Sequence, residues 1–301
     1  YQGMMLRQNF GMIPFSPQML SLLSTSLDPE AVICPRAWVY PPAPGEGGTY
    51  EGSWTGGLGS LGWQVVSTSR AALIFSPNGS KASVRALLGL TPKESNVTKI
   101  TDALLPGSRW FMEGDVFVCI LNQELQSSLR AEIGDTVNIM GLKLHVIGVA
   151  DTNMLGSILD LTGNSLAPID PQKAPVSGVQ VFTPLIWDYV MIVPFELAYH
   201  VFNGRINTIA VRTANMTRVN TVLRELVMGT YENLEVFMST EKGSTEVYRR
   251  GREFTFERAQ IMIIPVIIGG LTILMTLIGS VVERRREIAV YSTVGLSPMH
   301  V

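Results

Sequence analysis

Histidine and cysteine are the side chains best suited to nucleophilic or metal chemistry, and here their spacing supports neither. His145, His200 and His300 are widely separated. None forms the H-x-x-x-H or H-E-x-x-H pattern that sets two imidazoles on one helix face around a zinc ion. Cys34 and Cys119 also lie far apart, without metal-ligand spacing. Two readings stay open for them: a pair joined in an oxidising compartment, or two buried thiols. No G-x-S-x-G nucleophile elbow occurs. The expectation is a non-catalytic chain, with no metal and no cofactor.

Residues 57–62 read GLGSLG, a literal G-x-G-x-x-G. A dinucleotide fingerprint needs a strand before the glycines and a helix after them, so that a helix N-terminus meets the pyrophosphate. Here a Gly/Trp-rich loop precedes and strand-like WQVVSTSR follows, with no acidic residue at the required distance. A glycine-rich loop is the better reading. No G-x-x-x-x-G-K-[ST] occurs, so any ATP that drives this protein is bound by another chain. Three Asn-x-Ser/Thr sequons, at Asn78, Asn96 and Asn215, are chance matches.

The charges point elsewhere. Lys and Arg total 23 against 25 Asp and Glu, a net charge of −2, which gives no electrostatic case for nucleic acid. Charged residues are only 16% of the chain and mean hydropathy is +0.25, high for a soluble protein. Much of this comes from Gln260–Val282, which carries no charge. At about 1.5 Å per residue such a helix crosses a hydrocarbon core of roughly 30 Å. Pro265, Gly269 and Gly270 inside it are tolerated in spanning helices. Gly269, Gly270 and Gly279 predict a flat face for close helix packing. The run ends on five consecutive charges, Glu283, Arg284, Arg285, Arg286 and Glu287. On the other side Arg249, Arg250, Arg252 and Arg258 are spread out and interleaved with Glu253 and Glu257, so charge alone gives only a weak bias to a cytoplasmic C-terminal side. After the knot, Ile288, Tyr291, Val294 and Gly295 recur at helical spacing, a face able to dock on protein or lipid.

These features need a scaffold, and residues 1–243 read as a mixed α/β domain. Helical patterns fall at Met19–Leu27, Asn122–Ala131, Phe195–Phe202 and Thr217–Met228. Strand patterns fall at Ala31–Tyr40, Trp63–Thr68, Ser83–Leu88, Asp115–Leu121, Thr136–Met140, Leu142–Val149, Tyr189–Val193, Arg205–Thr213 and Asn233–Met238. A hairpin is expected near Gly141. The last two strands with the helix between them form a β-α-β unit. Pro- and Gly-rich loops cover 41–62 and 160–178. About 63–200 reads as a mainly β inserted subdomain. Residues 244–259 read as a stalk helix running unbroken into the spanning segment 260–282, with 283–301 a truncated segment beyond it. The sequence opens at Tyr1 without a leader pattern and closes just past a Gly295–Pro298 turn signal, and it reads as a piece cut at both ends.

The tail resembles the FtsX/MacB-like, mechanotransmission-type permease family of ABC transporters. In that family a spanning helix is followed by E-R-x-R-E-I-x-x-x-x-x-x-G, which Glu283, Arg284, Arg286, Glu287, Ile288 and Gly295 match. Leu104–Asp151 is similar to the family's G-R-x-F … G-D-x-v-x-i-x-G-x-x-f-x-V-v-G-v pattern, and Tyr189–Thr213 also resembles the family. The usual Ala-Leu-Gly is Thr293-Val294-Gly295 here, and the 41–62 loop has no family counterpart. The resemblance implies an α+β extracytoplasmic core domain with mixed sheets and β-α-β units, one long stalk and transmembrane helix, and a short cytoplasmic coupling helix. It implies location in the plasma membrane, with most of the chain outside. It also implies a cytoplasmic ABC ATPase partner touching 283–301, a second permease subunit, and three further spanning helices outside this sequence. A single-pass anchored ectodomain that binds a ligand or cell-wall component is the alternative, and a membrane-anchored enzyme stands third.

Overall fold

Side chains alternate across a strand, so a sheet buried on both faces reads as an unbroken apolar run. The sheet has such runs at its centre, and burial alternates with exposure in strands near one of its edges. The computed structural model describes residues 3–8, 13–41, 71–170, 183–213, 219, 222, 234–239, 244–249 and 256–293. Its strands are β1 (Gly3–Gln8), β2 (Val32–Val39), β3 (Ala72–Phe75), β4 (Lys81–Val84), β5 (Ala86–Leu90) and β6 (Val118–Asn122). They continue with β7 (Thr136–Ile139), β8 (Leu142–Ala150), β9 (Val190–Pro194), β10 (Arg205–Arg212), β11 (Leu234–Ser239) and β12 (Thr245–Arg249). All belong to one sheet in the order β12-β11-β1-β10-β2-β5-β9-β6-β8-β7-β3-β4. The β5/β9 and β6/β8 pairs are parallel and the others antiparallel.

The middle strands β5, β9 and β6 are buried at every position. Leu87, Met191, Val193, Cys119 and Leu121 enter one core, while Leu88, Leu90, Val190, Ile192, Val118 and Ile120 enter another. Alternation therefore places the two cores on opposite faces of the same sheet. Helix α1 (Pro17–Ser26) starts with Pro at its first turn and buries Met19 and Leu23, one turn apart, in the first core. Helix α2 (Gln123–Leu129) buries Leu125 and Leu129 there in the same way, each contributing about 1.5–3 kcal/mol. Its cap, Asn122, accepts from Leu125 N at 2.7 Å and donates to Trp187 O at 2.6 Å and Val190 O at 3.1 Å. One buried amide thus starts the helix and ties it to the β9 end of the sheet. Helix α3 (Thr152–Ser157) is capped by Asp151, which accepts from Asn153 N and Met154 N.

Glycine is required where elements meet closely. A Cβ on Gly89 of β5 would stand 2.4 Å from the Ala198 Cβ, because the turn Leu197–Val201 lies directly on the sheet. The expected hairpin at Gly141 forms: Met140 (φ 48) and Gly141 (φ 85) are its two central residues and Ile139 pairs with Leu142.

Several expectations change. Within the stretch read as a mainly β inserted subdomain, about 63–200, β3 to β9 are strands of the same sheet as β2, and β5 pairs with β2. The strand expected at Ser83–Leu88 divides at Arg85, whose side chain leaves the ladder to pair with Asp170, with its N–H donating to Tyr189 O. β10 and β11 are parallel but not adjacent, since β1 lies between them. The strand at Trp63–Thr68 lies outside the described residues, as does the Thr217–Met228 helix except for Val219 and Val222, both helical and buried. The stalk helix expected over 244–259 is replaced at its start by β12, which pairs with β11 from Ser239↔Thr245 to Glu235↔Arg249. Thr245, Val247 and Tyr248 favour a pleated strand, and an open edge at β11 outweighs the helical reading of the charges.

Residues 1–250 and 251–301 form two units. In the second, helix α4 (Phe256–Thr293) runs for 38 residues, about 57 Å at the usual rise, with Pro265 inside it. It passes through the charge knot without a break. Residues 283–293 therefore extend the long apolar helix and do not form a separate short helix. Gly295 lies outside the described residues.

Candidate functional site

Helix α4 is the clearest functional feature because its apolar side chains are exposed among the described residues of its unit. Residues Ile267–Tyr291 are long and apolar enough to cross a membrane, and none of that window is buried. Ile268 is 62% exposed, Ile273 64% and Met275 64%. A soluble helix hides such a stripe, whereas a lipid-facing one displays it. The uncharged run ends at Val282, so the charges 283–287 mark the end of the apolar part of the helix. The two threonine hydroxyls within the run are satisfied by the helix itself, as a low-dielectric medium favours: Thr272 Oγ1 donates to Ile268 O, and Thr276 Oγ1 donates to Thr272 O at 2.8 Å.

At about 100° per residue, Gly269, Thr272, Thr276, Gly279, Ser280 and Glu283 share about a third of the helix circumference. Gly270 projects about 100° away from Gly269, off that strip. A side chain grown from any of the three glycines would meet open space. The arginines do not share a face: Arg284, Arg285 and Arg286 ring the helix. Arg284, Ile288 and Tyr291 fall within about one-sixth of the circumference, and all three are exposed. Glu283 and Glu287 stand one turn apart on the glycine side.

The other sequence candidates do not converge. His145 Nδ1 lies 3.1 Å from Thr136 Oγ1 on the sheet, and His200 Nε2 lies 3.1 Å from Glu196 Oε2 on its own helical turn. His300, the 57–62 glycines and Asn215 lie outside the described residues. No group of three or more His, Cys, Asp or Glu able to hold a metal occurs among the described residues. Cys34 and Cys119 are free and buried. Burial pushes the Cys34 thiol up to about 12 and raises that of Cys119 as well, so neither is a nucleophile at neutral pH.

The segment resembling the family's G-R-x-F pattern forms a braced corner. Arg109 Nη1 donates to Asp115 Oδ2 at 2.6 Å and Nη2 to Oδ1 at 3.2 Å, while Met112 N donates to Oδ2 at 2.9 Å. Ser108 Oγ donates to Val149 O and accepts from Val149 N. Gly148 is needed there because its Cβ would lie 2.9 Å from the Ser108 Cβ. The hydrogen bond from Arg109 holds the Asp115 carboxyl below the usual carboxylate range. This contribution is present above about pH 4 and is lost as pH falls through the lowered folded-state value. Arg109 is 40% exposed, so solvent screening limits the effect to about 1 kcal/mol. In urea unfolding, the wild type is expected to lose about 1 kcal/mol more than Asp115→Asn between pH 6 and pH 2. Equal losses would remove Asp115 from the acid limb.

Sequence reasoning did not find a small cleft of about 40 Å³ of mixed lining, with Arg7, Asp160, Asn164 and Thr208 beside Met5, Trp38 and Ile169. Its residues come from β1, β2, β10 and the 159–170 turn, too far apart in the chain for any motif to signal. Its volume is well below the ~300 Å³ at which small-molecule sites begin. It has room for a few waters, with Arg7 held by Glu235 at 2.7 Å and its guanidinium 4.5 Å from the centre of the Phe237 ring.

No family model and no curated protein sequence matches the chain. Among the solved structures that align with it are the following two. The periplasmic region of MacB from Actinobacillus actinomycetemcomitans does so at 13% identity over 78% of this chain and 87% of that one, with a TM-score of 0.44. The extracellular domain of the noncanonic ABC-type transporter YknZ from Gram-positive bacteria does so at 14% identity over 78% and 98%, with a TM-score of 0.43.

Proposed function

We propose that the chain is the membrane subunit of an ABC transporter of the permease type, anchored by α4 and carrying the twelve-stranded domain on the extracytoplasmic side. The observation that carries this reading is the fully exposed apolar helix that continues, unbroken, into the E-R-x-R-E-I tail. Arginines that ring a helix at the end of its apolar run anchor that end at a membrane surface. From this ring onwards, Arg284, Ile288 and Tyr291 offer one cationic and apolar face to an ATPase subunit. ATP is bound and hydrolysed by that partner, and its motion is passed along α4 to the outer domain. An unbroken helix suits this task, because packed and hydrogen-bonded elements carry displacement over tens of ångströms. A second permease subunit packs against the glycine strip that includes Gly269 and Gly279.

The test is copurification from the native membrane. The wild-type chain is expected to bring down an ATP-hydrolysing subunit, and Arg284→Glu with Arg286→Glu to lose it while staying in the membrane. Retention of the ATPase by the double variant would remove the docking role. Absence of any ATPase with the wild type would favour an anchored ectodomain.

A further inference from the structure

Strands β4, β3, β7 and the first half of β8 bury one face and leave the other largely exposed among the described residues. Ile74, Val84, Val137, Ile139 and Leu144 enter the core on the inner face. On the outer face the ladder places Phe75 opposite Lys81 on one side and Asn138 on the other, with Asn138 opposite Lys143. Four side chains therefore form one row across four strands: Lys81, Phe75, Asn138, Lys143. All four are exposed, Phe75 by 45%, and Leu73 beside it by 47%. Neither lysine has an ion-pair partner and the Asn138 amide has no hydrogen bond among the described residues. The four strands contain no Asp or Glu. The other titratable group on the face, His145, is engaged with Thr136.

The spacing of the row defines its ligand. Adjacent strands lie about 4.8 Å apart, so the two lysines stand about 14 Å apart with the phenyl ring and the amide between them. An extended peptide rises about 3.3 Å per residue and points residues i, i+2 and i+4 to one side. Its i and i+4 side chains are then about 13 Å apart, with i+2 midway. We propose that this face binds an extended acidic segment of a partner protein, with carboxylates at i and i+4 on Lys81 and Lys143 and an apolar side chain at i+2 on Phe75. Complementary charge sets the register and the ring supplies apolar contact. The proposal concerns the outer domain alone and does not depend on the membrane reading.

The experiment is calorimetric titration of the detergent-solubilised full chain with the capped peptide Glu-Thr-Leu-Thr-Glu. Binding is expected to weaken on going from 0.05 to 0.5 M salt, and to fall by about tenfold in Lys81→Glu with Lys143→Glu. A shuffled peptide with adjacent glutamates should bind as poorly as that variant. Lys81→Gln with Lys143→Gln, together with an unchanged unfolding temperature, separates lost contact from lost fold. No binding by the wild type, or equal binding of the shuffled or a lysine-for-glutamate peptide, overturns the proposal. Preference for an octathymidylate over the peptide also overturns it and assigns the face to nucleic acid.

Discussion

Arginine at both Leu271 and Leu274 will release residues 1–301, expressed without any further spanning segment, from the bilayer. Both positions lie in the middle of the uncharged run and are more than half exposed on α4. On the scale set by membrane-insertion measurements, an arginine at the centre of a span costs about 2.5–3.5 kcal/mol, so two cost about 5–7 kcal/mol, roughly four decades or more in the insertion equilibrium. Neither can reach water easily, because each is more than a turn and a half from the nearest end of the run. Flotation of cell membranes on a density gradient is the measurement, since it separates lipid-bound protein from aggregate. The wild type is expected to float and the double variant to stay at the bottom. Arginine at Glu283 and Glu287 is the control, because those positions already lie where the charges begin, and that variant should float. A floating Leu271/Leu274 variant would mean that α4 is not what holds the chain to lipid, and the permease reading would lose its anchor.

What was legible in the sequence follows from how local each signal is. The span could be seen because absence of charge over a helix-length window is a property of consecutive residues. So could the β7–β8 hairpin, where Gly141 and flanking alternation fix turn and register together. β1 and β12 could not, because their partners are distant: Arg7 of β1 meets Glu235 of β11, and β12 exists because β11 offers an edge. Read alone, Thr245–Arg249 looked like charged helix, and its strand propensity mattered only once that edge was available. At the candidate docking site, residue types were legible but geometry was not. That Arg284 belongs with Ile288 and Tyr291, and that Gly270 leaves the Gly269–Gly279 strip, follows only from α4 being one helix through the charge knot. The Lys81–Phe75–Asn138–Lys143 row was invisible for the same reason: it runs perpendicular to the chain.

Replacing Glu94 by alanine will destabilise the β-sheet domain by about 3–5 kcal/mol, through the buried cation it leaves behind. Arg36 on β2 is 2% exposed and Glu94, on the turn Pro92–Asn96, is wholly buried. Arg36 donates from Nε at 3.2 Å and from Nη2 at 2.8 Å to the same Glu94 oxygen, which also accepts from Thr98 Oγ1 at 3.3 Å. A buried lysine can escape by giving up its proton, but this guanidinium cannot. Burial works to lower its pKa, yet the charge and hydrogen bonds of Glu94 more than offset that and hold it above its already high ordinary value. Glu94→Ala therefore strands a charge in the interior, whereas Arg36→Met with Glu94→Leu removes both charges and keeps most of the volume. Denaturant unfolding of the three proteins separates the cost of an orphaned charge from the worth of the pair. The single variant is expected to lose about 3–5 kcal/mol and the double variant to recover the larger part of it. A double variant as unstable as the single would mean that the pair itself, with its link between β2 and the 92–96 turn, holds this part of the sheet together.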